Sequence, residues 1–516
     1  MKNSLGREIP DEFLVDGVEV FQGQYYRDGY TYTKSAPTVK AYVKPREDKL
    51  TKTIREAIIN SGLKDGMTIS FHHHFRMGDY VVNQVMKEIH ALGIKDLMVA
   101  ASSLNKAHNY LVKCIEDGTV TRISTSGIRD EIGEVVSSGK LKHPAVIRTH
   151  GGRVRAVESG DIKIDVAFIG APTSDKHGNA SGVGGKSDTG VLSYMHDDAR
   201  YANHTVIITD TLIDGLNFPA SIPGIYVDQV VEVDEIGDPS KIASGSIRLT
   251  KDPRELMMAK NAVKCMVYSG YFKDGFTFQT GAGGAALATT TFLKDYMDQE
   301  NIRCNWAMGG ITEPIVKLHE EGYIDKLIDD QSFDVATIES RKNNPNHFEI
   351  SASQYANPFN KGAFVNQLDF VLLGALEIDT NFNVNVVQGS DGVLQGAPGG
   401  HTDTAAGSKV SIIIAPLIRS RLATIRTDVT SVTTPGESID IVVTDYGIAI
   451  NPRRQDLIEA LSGKGLPLTT IENLRDLAYK YAGEPKAIAF TDEVVALIEY
   501  RDGTLIDVVK KPQSRA

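Results

Sequence analysis

The stretch DVAFIGAPTSDKHGN, Asp165–Asn179, recurs as DFVLLGALEIDTNFN, Asp369–Asn383. Asp, Gly, Ala, Asp and Asn coincide at five places, 204 residues apart. Each copy opens on an apolar run that reads as a buried strand and closes on an Asp/Asn turn. Working outward, SGLKDGMTISF (Ser61–Phe71) pairs with SGYFKDGFTFQT (Ser269–Thr280), and VKCIEDGTV (Val112–Val120) with VKLHEEGYI (Val316–Ile324). GGKSDTG (Gly184–Gly190) pairs with GGHTDTA (Gly399–Ala405), and VDQVVEVDEIG with IDIVVTDYGIA, which sets Asp228 against Asp440. Five matches in the same order mark a tandem duplication.

The copies alternate apolar strands with amphipathic helices. Val82, Val85, Met86, Ile89 and Leu92 fall on one helical face of Asp79–Leu92, and Met67–Phe71, Asp96–Ala101 and Thr205–Asp210 read as buried strands. That alternation predicts an α/β fold of two tandem related domains, each a mainly parallel open sheet with helices. The expected division is a lead-in over 1–50, a first domain over 51–250, a second over 255–462, and a C-terminal helix and hairpin, 463–516, extending the second. In the hairpin, Asp502-Gly503 supplies the turn. A site belongs between the domains or at the strands' C-terminal ends.

Composition agrees. A chain of 516 residues is too long for one core, and 41% hydrophobic with 23% charged residues argues against disorder. A net charge of −11 argues against a nucleic-acid partner, which asks for a basic face. The three cysteines, Cys114, Cys265 and Cys304, are far apart, which fits a reducing cytoplasm. A polar, acidic N-terminus reads as carrying no signal peptide, and no apolar run is long enough to span a membrane.

Six loops are candidates for chemistry. Strand Phe276–Thr280 enters Gly281–Gly284 and then a helix, so Gly283 and Gly284 offer backbone N–H groups to an oxyanion or phosphate. The pattern also fits a dinucleotide turn, but the acid expected about 20 residues on is missing. GNASGVGGKS, Gly178–Ser187, ends like a P-loop, yet Ala180 stands where a glycine is needed. His72, His73 and His74, with Arg76, read as a cationic pocket for a polyanion or as packing and loop-capping residues, rather than as a metal site, because neighbours on an extended chain alternate faces. RTHGGRVRAVESG groups Arg148, His150, Arg153 and Arg155 as a local anion site, or as a solvated surface turn. In GGITEP, Glu313 is placed to act as nucleophile or base, or simply to open a helix. Finally, Gly399 and Gly400 in QGAPGGHTDTAAGSK suit an oxyanion hole, with His401 and Asp403 beside them, or a purely structural turn.

Together these motifs resemble the CoA-transferase superfamily. IDVAFIGAPTSDKHGN is similar to its first-domain signature, FQTGAGGAALA to its second-domain glycine turn, and VVTDYGIA to its Tyr-Gly-Val-Ala segment. TISFHHHFRMGDYVVN, RTHGGR, DGFTFQTGAGGAALA, ISASQYANP, EIDTNFNVNVVQGSDG and GGHTDTAAG resemble the citrate lyase alpha-subunit family within it. The resemblance implies a transferase that exchanges acetyl for citryl on a carrier-protein or CoA thioester, releasing acetate. Its partners would be a beta (lyase) subunit and a gamma (acyl carrier) subunit bearing a dephospho-CoA-derived thiol. This chain would hold no covalent cofactor and no metal, act on citrate and an acetyl thioester or acetyl-CoA, and form a cytoplasmic homo-oligomer. The alternative is an acyl-CoA hydrolase or a transferase for another acid. The resemblance casts Gly283, Gly284, Gly399 and Gly400 as oxyanion donors, and Arg148, His150, Arg153, His72, His73, His74, Arg76 and His401 as substrate ligands. Glu313 aligns with the nucleophilic glutamate of related transferases, but Ile311 replaces a histidine of that motif, so its expected role is electrostatic or positional.

Overall fold

The computed structural model describes residues 1–23, 48–242, 249–281 and 283–513. Two large sheets carry the fold. The first contains β1 (Leu50–Thr51), β2 (Thr68–Phe71), β3 (Leu97–Ala101), β4 (Val120–Thr125), β5 (Ala145–Ile147), β6 (Val166–Gly170), β7 (His204–Thr209) and β8 (Gln229–Glu232). The second contains β9 (Phe276–Thr280), β10 (Cys304–Ile311), β11 (Ile324–Ser332), β12 (His347–Glu349), β13 (Phe370–Leu373), β14 (Val410–Ile414), β15 (Ile441–Val443), β16 (Ile448–Ile450) and β17 (Leu468–Thr469). A C-terminal hairpin, β18 (Phe490–Glu499) and β19 (Leu505–Pro512), completes the strands described here.

The order β8-β7-β6-β2-β3-β4-β5 in the first sheet is repeated as β15-β14-β13-β9-β10-β11-β12 in the second, all parallel. Both faces of each sheet are covered, as parallel sheets require. Along β6, Val166 and Phe168 enter one core while Ala167 and Ile169 enter another. Along β13, Phe370 and Leu372 divide in the same way from Val371 and Leu373.

The residues that recur between the copies are clips of the fold. Asp165 Oδ2 accepts the Thr68 N–H and Asp369 Oδ2 the Thr277 N–H, each at 2.9 Å, tying one strand start to its neighbour. Asp228 and Asp440 do the same for Thr205 and Ser411, at 2.8 Å. In the two Asx turns, Asp175 Oδ1 accepts the Asn179 N–H and Asp379 Oδ1 the Asn383 N–H. Each asparagine then accepts a glycine N–H, from Gly224 or Gly436. Short polar side chains are selected there because they satisfy buried backbone donors.

Two expectations need correction. GGKSDTG and GGHTDTA are not structural equivalents: the first is a loop, whereas the helix His401–Gly407 matches Ser193–Tyr201 in chain order. Gly185 and Gly190 of that loop are there for packing. A Cβ on Gly185 would meet the Pro172 carbonyl, and one on Gly190 the Ser332 side chain across the junction. Second, the tail does not extend one domain only. The helix Ile471–Ala482 packs on the second, with Ile471, Leu474 and Ala478 in its core. The hairpin instead joins the first sheet, β18 running parallel to β5 through Ala496↔Ala145 and Ile498↔Ile147. The Asp-Gly turn specifies a hairpin but not its sheet; burial of Val495, Ala496 and Ile498 in the first core decides that. Ile9 and Val20 from the lead-in pack on Leu505 and Val508, while 24–47 lie outside the described residues.

Candidate active site

The loops at the strands' C-terminal ends face each other across the domain junction. After β2, His73 accepts at Nδ1 from the Ser102 hydroxyl, and its Nε2–H points to Gln331 Oε1, at 3.1 Å, beyond β11's middle. His74 Nε2 approaches the Asp330 carbonyl at 3.4 Å, and the Arg76 guanidinium donates to the Phe333 carbonyl while lying 4.6 Å above the Phe333 ring. Tyr194 donates to Asp330 Oδ2 at 3.0 Å. The His150 ring stacks near His73, at 5.7 Å and 11°, and lies 4.7 Å from Tyr194.

Burial sets the charge of this cluster. His74 is pushed down to about 4 and His150 to about 3, chiefly by desolvation, and His73 falls well below 6.5 for the same reason. These imidazoles are neutral at pH 7 and act as oriented dipoles, not cations. Asp330 moves the other way, to about 7, through burial and then its neighbour Asp329.

The glycine turns sit on the same rim. Gly283 caps the helix Gly284–Glu300, whose first-turn N–H groups have no intrahelical acceptors. Gly399, at φ +52°, passes its carbonyl to the His150 N–H at 2.8 Å. Gly400 lies against the Tyr355 hydroxyl, where a Cβ would collide, and that hydroxyl accepts from Gln279 Nε2 at 3.0 Å.

Five residues of the expected sites are committed elsewhere. Arg153 is buried and makes a two-pronged pair with Asp198, at 2.8 and 2.7 Å, with His72 3.3 Å from the same carboxylate. Burial takes His72 down to about 3. Arg148 forks onto Glu499, at 2.9 Å twice, and Arg155 onto Glu499 and Asp161. His401 spends both ring nitrogens, on Thr434 Oγ1 and the Gly374 carbonyl. The expected Arg148–Arg155 anion site is therefore corrected: a buried cation needs an internal carboxylate, and each of these arginines has one. RTHGGR is instead a clasp between domains, with Thr149 Oγ1 and the Gly151 N–H both donating to Asp403 at 2.9 Å. Glu313 opens the helix Glu313–Glu320, is exposed, and its carboxylate meets Lys317 at 2.6 Å.

A family model for the alpha subunit of citrate lyase matches residues 47–512. The chain belongs to the citrate lyase alpha-subunit family. Within that family it is 52% identical to the citrate lyase alpha chain of Haemophilus influenzae over 487 residues, 94% of this chain and 97% of that one. It is 50% identical to the Klebsiella pneumoniae chain over 479 residues, covering 93% and 94%. The crystal structure of a citrate lyase alpha subunit from Streptococcus mutans, in complex with citrate, superposes with a TM-score of 0.96 at 50% identity, covering 99% and 100% of the two chains. The alpha subunit of malonate decarboxylase from Acinetobacter baumannii shares the fold at 14% identity and a TM-score of 0.62 over 85% of this chain. Family membership and architecture agree that this is the CoA-transferase-like fold. No helix among the described residues is long and apolar enough to cross a membrane.

Two junction residues of this family member, Tyr194 and Arg129, lie in none of the motifs read from the sequence, and Tyr355 lies within ISASQYANP without being marked out by it. Asp330 and Gln331 had a signal: LIDDQS is a polar run inside a buried strand, and buried carboxylates in a strand call for a reason.

Proposed function

We propose that this chain exchanges acetyl for citryl on a carrier-bound thioester and releases acetate, as one subunit of citrate lyase. The observation that carries the reading is the near-complete superposition on the Streptococcus mutans alpha subunit bound to citrate, joined to a junction where neutral imidazoles meet the Gly399–Gly400 turn. A citrate carboxylate attacks the acetyl carbonyl, and the thiolate leaves from the resulting tetrahedral centre, giving a mixed citryl–acetyl anhydride. The thiolate then attacks the citryl carbonyl and expels acetate. Charge and atoms balance without an external proton.

Each step develops an oxyanion, which fixed backbone donors stabilise without reorganisation. The first turn after Gly283–Gly284 and the Gly399–Gly400 turn are the donors in this reading. His150, held neutral by burial and with its Nδ1 unpartnered among the described residues, orients the substrate by hydrogen bonding, and His73, bonded to Ser102 and Gln331, braces that ring by stacking. Binding acid and thioester together supplies orientation. Glu313, paired with Lys317 on the surface, is given a positional role rather than a covalent one.

In the complex, a beta subunit would cleave the citryl thioester to oxaloacetate and restore the acetyl carrier. A gamma subunit would carry the dephospho-CoA-derived thiol, so this chain needs no covalent cofactor of its own. The assembly is proposed to be cytoplasmic, with more than one copy of this chain.

Incubating the purified chain with acetyl-CoA and labelled citrate tests the reading. Equimolar labelled citryl-CoA and acetate are expected, with intersecting double-reciprocal lines that report a ternary complex. Acetate release without citrate would replace it with a thioester hydrolase, and no exchange with any acyl thioester would remove it.

A further inference from the structure

With Arg148, Arg153 and Arg155 tied to internal carboxylates, the cations that meet a polyanion must come from elsewhere on the rim. Arg129 follows β4 and precedes the helix Asp130–Ser137. It is exposed, and no hydrogen bond or ion pair is made by its guanidinium among the described residues. Its loop is pinned into the junction: the Ile128 N–H donates to the Gly396 carbonyl at 3.2 Å, and Gly127 packs against Ala397 so tightly that a Cβ would collide. Arg129 thus projects from the segment that holds the Gly396–Gly400 turn in place.

Arg76 stands on the same rim, after β2. It adopts φ +51°, and Asp130, next to Arg129, adopts φ +58°. Non-glycine residues enter that region only where the surroundings impose it. Arg76 and His150 both feel the positive charge of Arg129, which together with burial takes Arg76 down to about 10. The two loops are neighbours: the turn Arg76–Gly78 packs on the turn Lys106–His108, whose Lys106 N–H donates to Asp130 Oδ2 at 3.0 Å, and two guanidiniums on adjoining loops are stabilised when an anion lies between them.

We propose that Arg129 and Arg76 together hold the two non-reacting carboxylates of the tricarboxylate substrate, and that Arg129 sets the requirement for a third carboxylate. The reaction itself argues for two cations and not three. A carboxylate forked onto an arginine is a poor nucleophile, so the reacting one must stay unpaired while the other two are bound. The proposal rests on the acyl-exchange reading above for its kinetics, but not for its binding prediction.

The test compares wild type, Arg129→Ala and Arg129→Lys with citrate and with citramalate, a related hydroxy acid with one carboxylate fewer, each with acetyl-CoA. Arg122→Ala, on β4 but outside the cleft, controls for lost charge. A charge-assisted contact predicts that Arg129→Ala raises the citrate KM roughly 10- to 100-fold with kcat within about threefold. The same change should leave the citramalate KM within about threefold, and Arg129→Lys should recover part of the citrate loss. An unchanged citrate KM, or equal losses for both acids, overturns the proposal. Citrate-induced thermal stabilisation separates it from the catalytic reading. If wild type is stabilised by citrate and Arg129→Ala is not, yet no acyl exchange occurs, the exchange reading fails and the clamp stands. Equal stabilisation of both proteins, or none of wild type, removes the clamp.

Discussion

The Tyr194 hydroxyl donates to Asp330 Oδ2 at 3.0 Å, and this bond ties a helix of the first domain to β11 of the second beside the histidine cluster. Tyr194 comes from the helix after β6, and Asp330 from the buried end of β11. Burial of the carboxyl dominates its shift to about 7, and the hydrogen bond only partly offsets it. The native state therefore holds a proton that the unfolded chain, near pKa 3.9, releases. Between about pH 4 and 7 this group makes the fold less stable as pH rises, and above pH 7 its penalty is constant. Asp330→Asn removes the term, so its melting temperature should gain on wild type at pH 8 and not at pH 4.5. Calorimetric melts at both pH values check this; an equal difference at the two would contradict it.

Arg153 and Asp198 form a pair inside the first domain, not a substrate contact. Removing one partner of a buried pair leaves an uncompensated charge, so Arg153→Ala should lose roughly 3–5 kcal/mol in urea unfolding. Arg153→Lys, which keeps the charge but not the fork, should be milder and leave the citrate KM within about threefold. A citrate KM raised tenfold in the folded lysine variant would restore Arg153 as a ligand.

Gly400 is required by its neighbour. An alanine there drives its methyl into the Tyr355 hydroxyl and disturbs the Tyr355–Gln279 bond. Gly400→Ala should cost about 1–3 kcal/mol, the usual penalty for overpacking. Tyr355→Phe in the same chain frees the space and should return part of that stability. Denaturant midpoints of the two single variants and the double variant decide it, with no recovery in the double counting against the assignment.

Glu313 is exposed and paired with Lys317, four residues along its helix, at 2.6 Å. Such a pair contributes roughly 0.3–0.5 kcal/mol. Glu313→Gln should leave the fold intact and lower kcat by less than about tenfold, whereas loss of a covalent nucleophile costs on the order of a millionfold. Mass spectrometry after hydroxylamine or borohydride treatment during turnover should find no adduct at Glu313.

Much of the architecture was legible because it is written locally. The continuous apolar run of β6, the Asx turns at Asp175 and Asp379, and the glycine turn before Gly284 depend on neighbours a few residues away. The repeat made them legible twice. The candidate site was less legible for a related reason. The residues that recur between copies, Asp165 with Asp369 and Asp175 with Asp379, clip the fold in both domains, so recurrence pointed to scaffolding. The junction is built from what the copies do not share: His73, Tyr194 and Arg129 on one side, Asp330, Tyr355 and Gly399 on the other. The arginine-rich RTHGGR looked like an anion site because a sequence shows cations but not the carboxylates that arrive from Asp198, Glu499 and Asp403.

The sequence by itself determined two doubly covered parallel sheets in tandem, since strand periodicity, turn chemistry and the duplicated spacing act over short range. It also determined which glycines must stand at turns. Only the tertiary structure decided which sheet the C-terminal hairpin joins, which arginines are neutralised and which imidazoles are uncharged. Those outcomes depend on burial and on partners hundreds of residues away. In a low-dielectric interior, a charge is set by what surrounds it and not by its place in the chain.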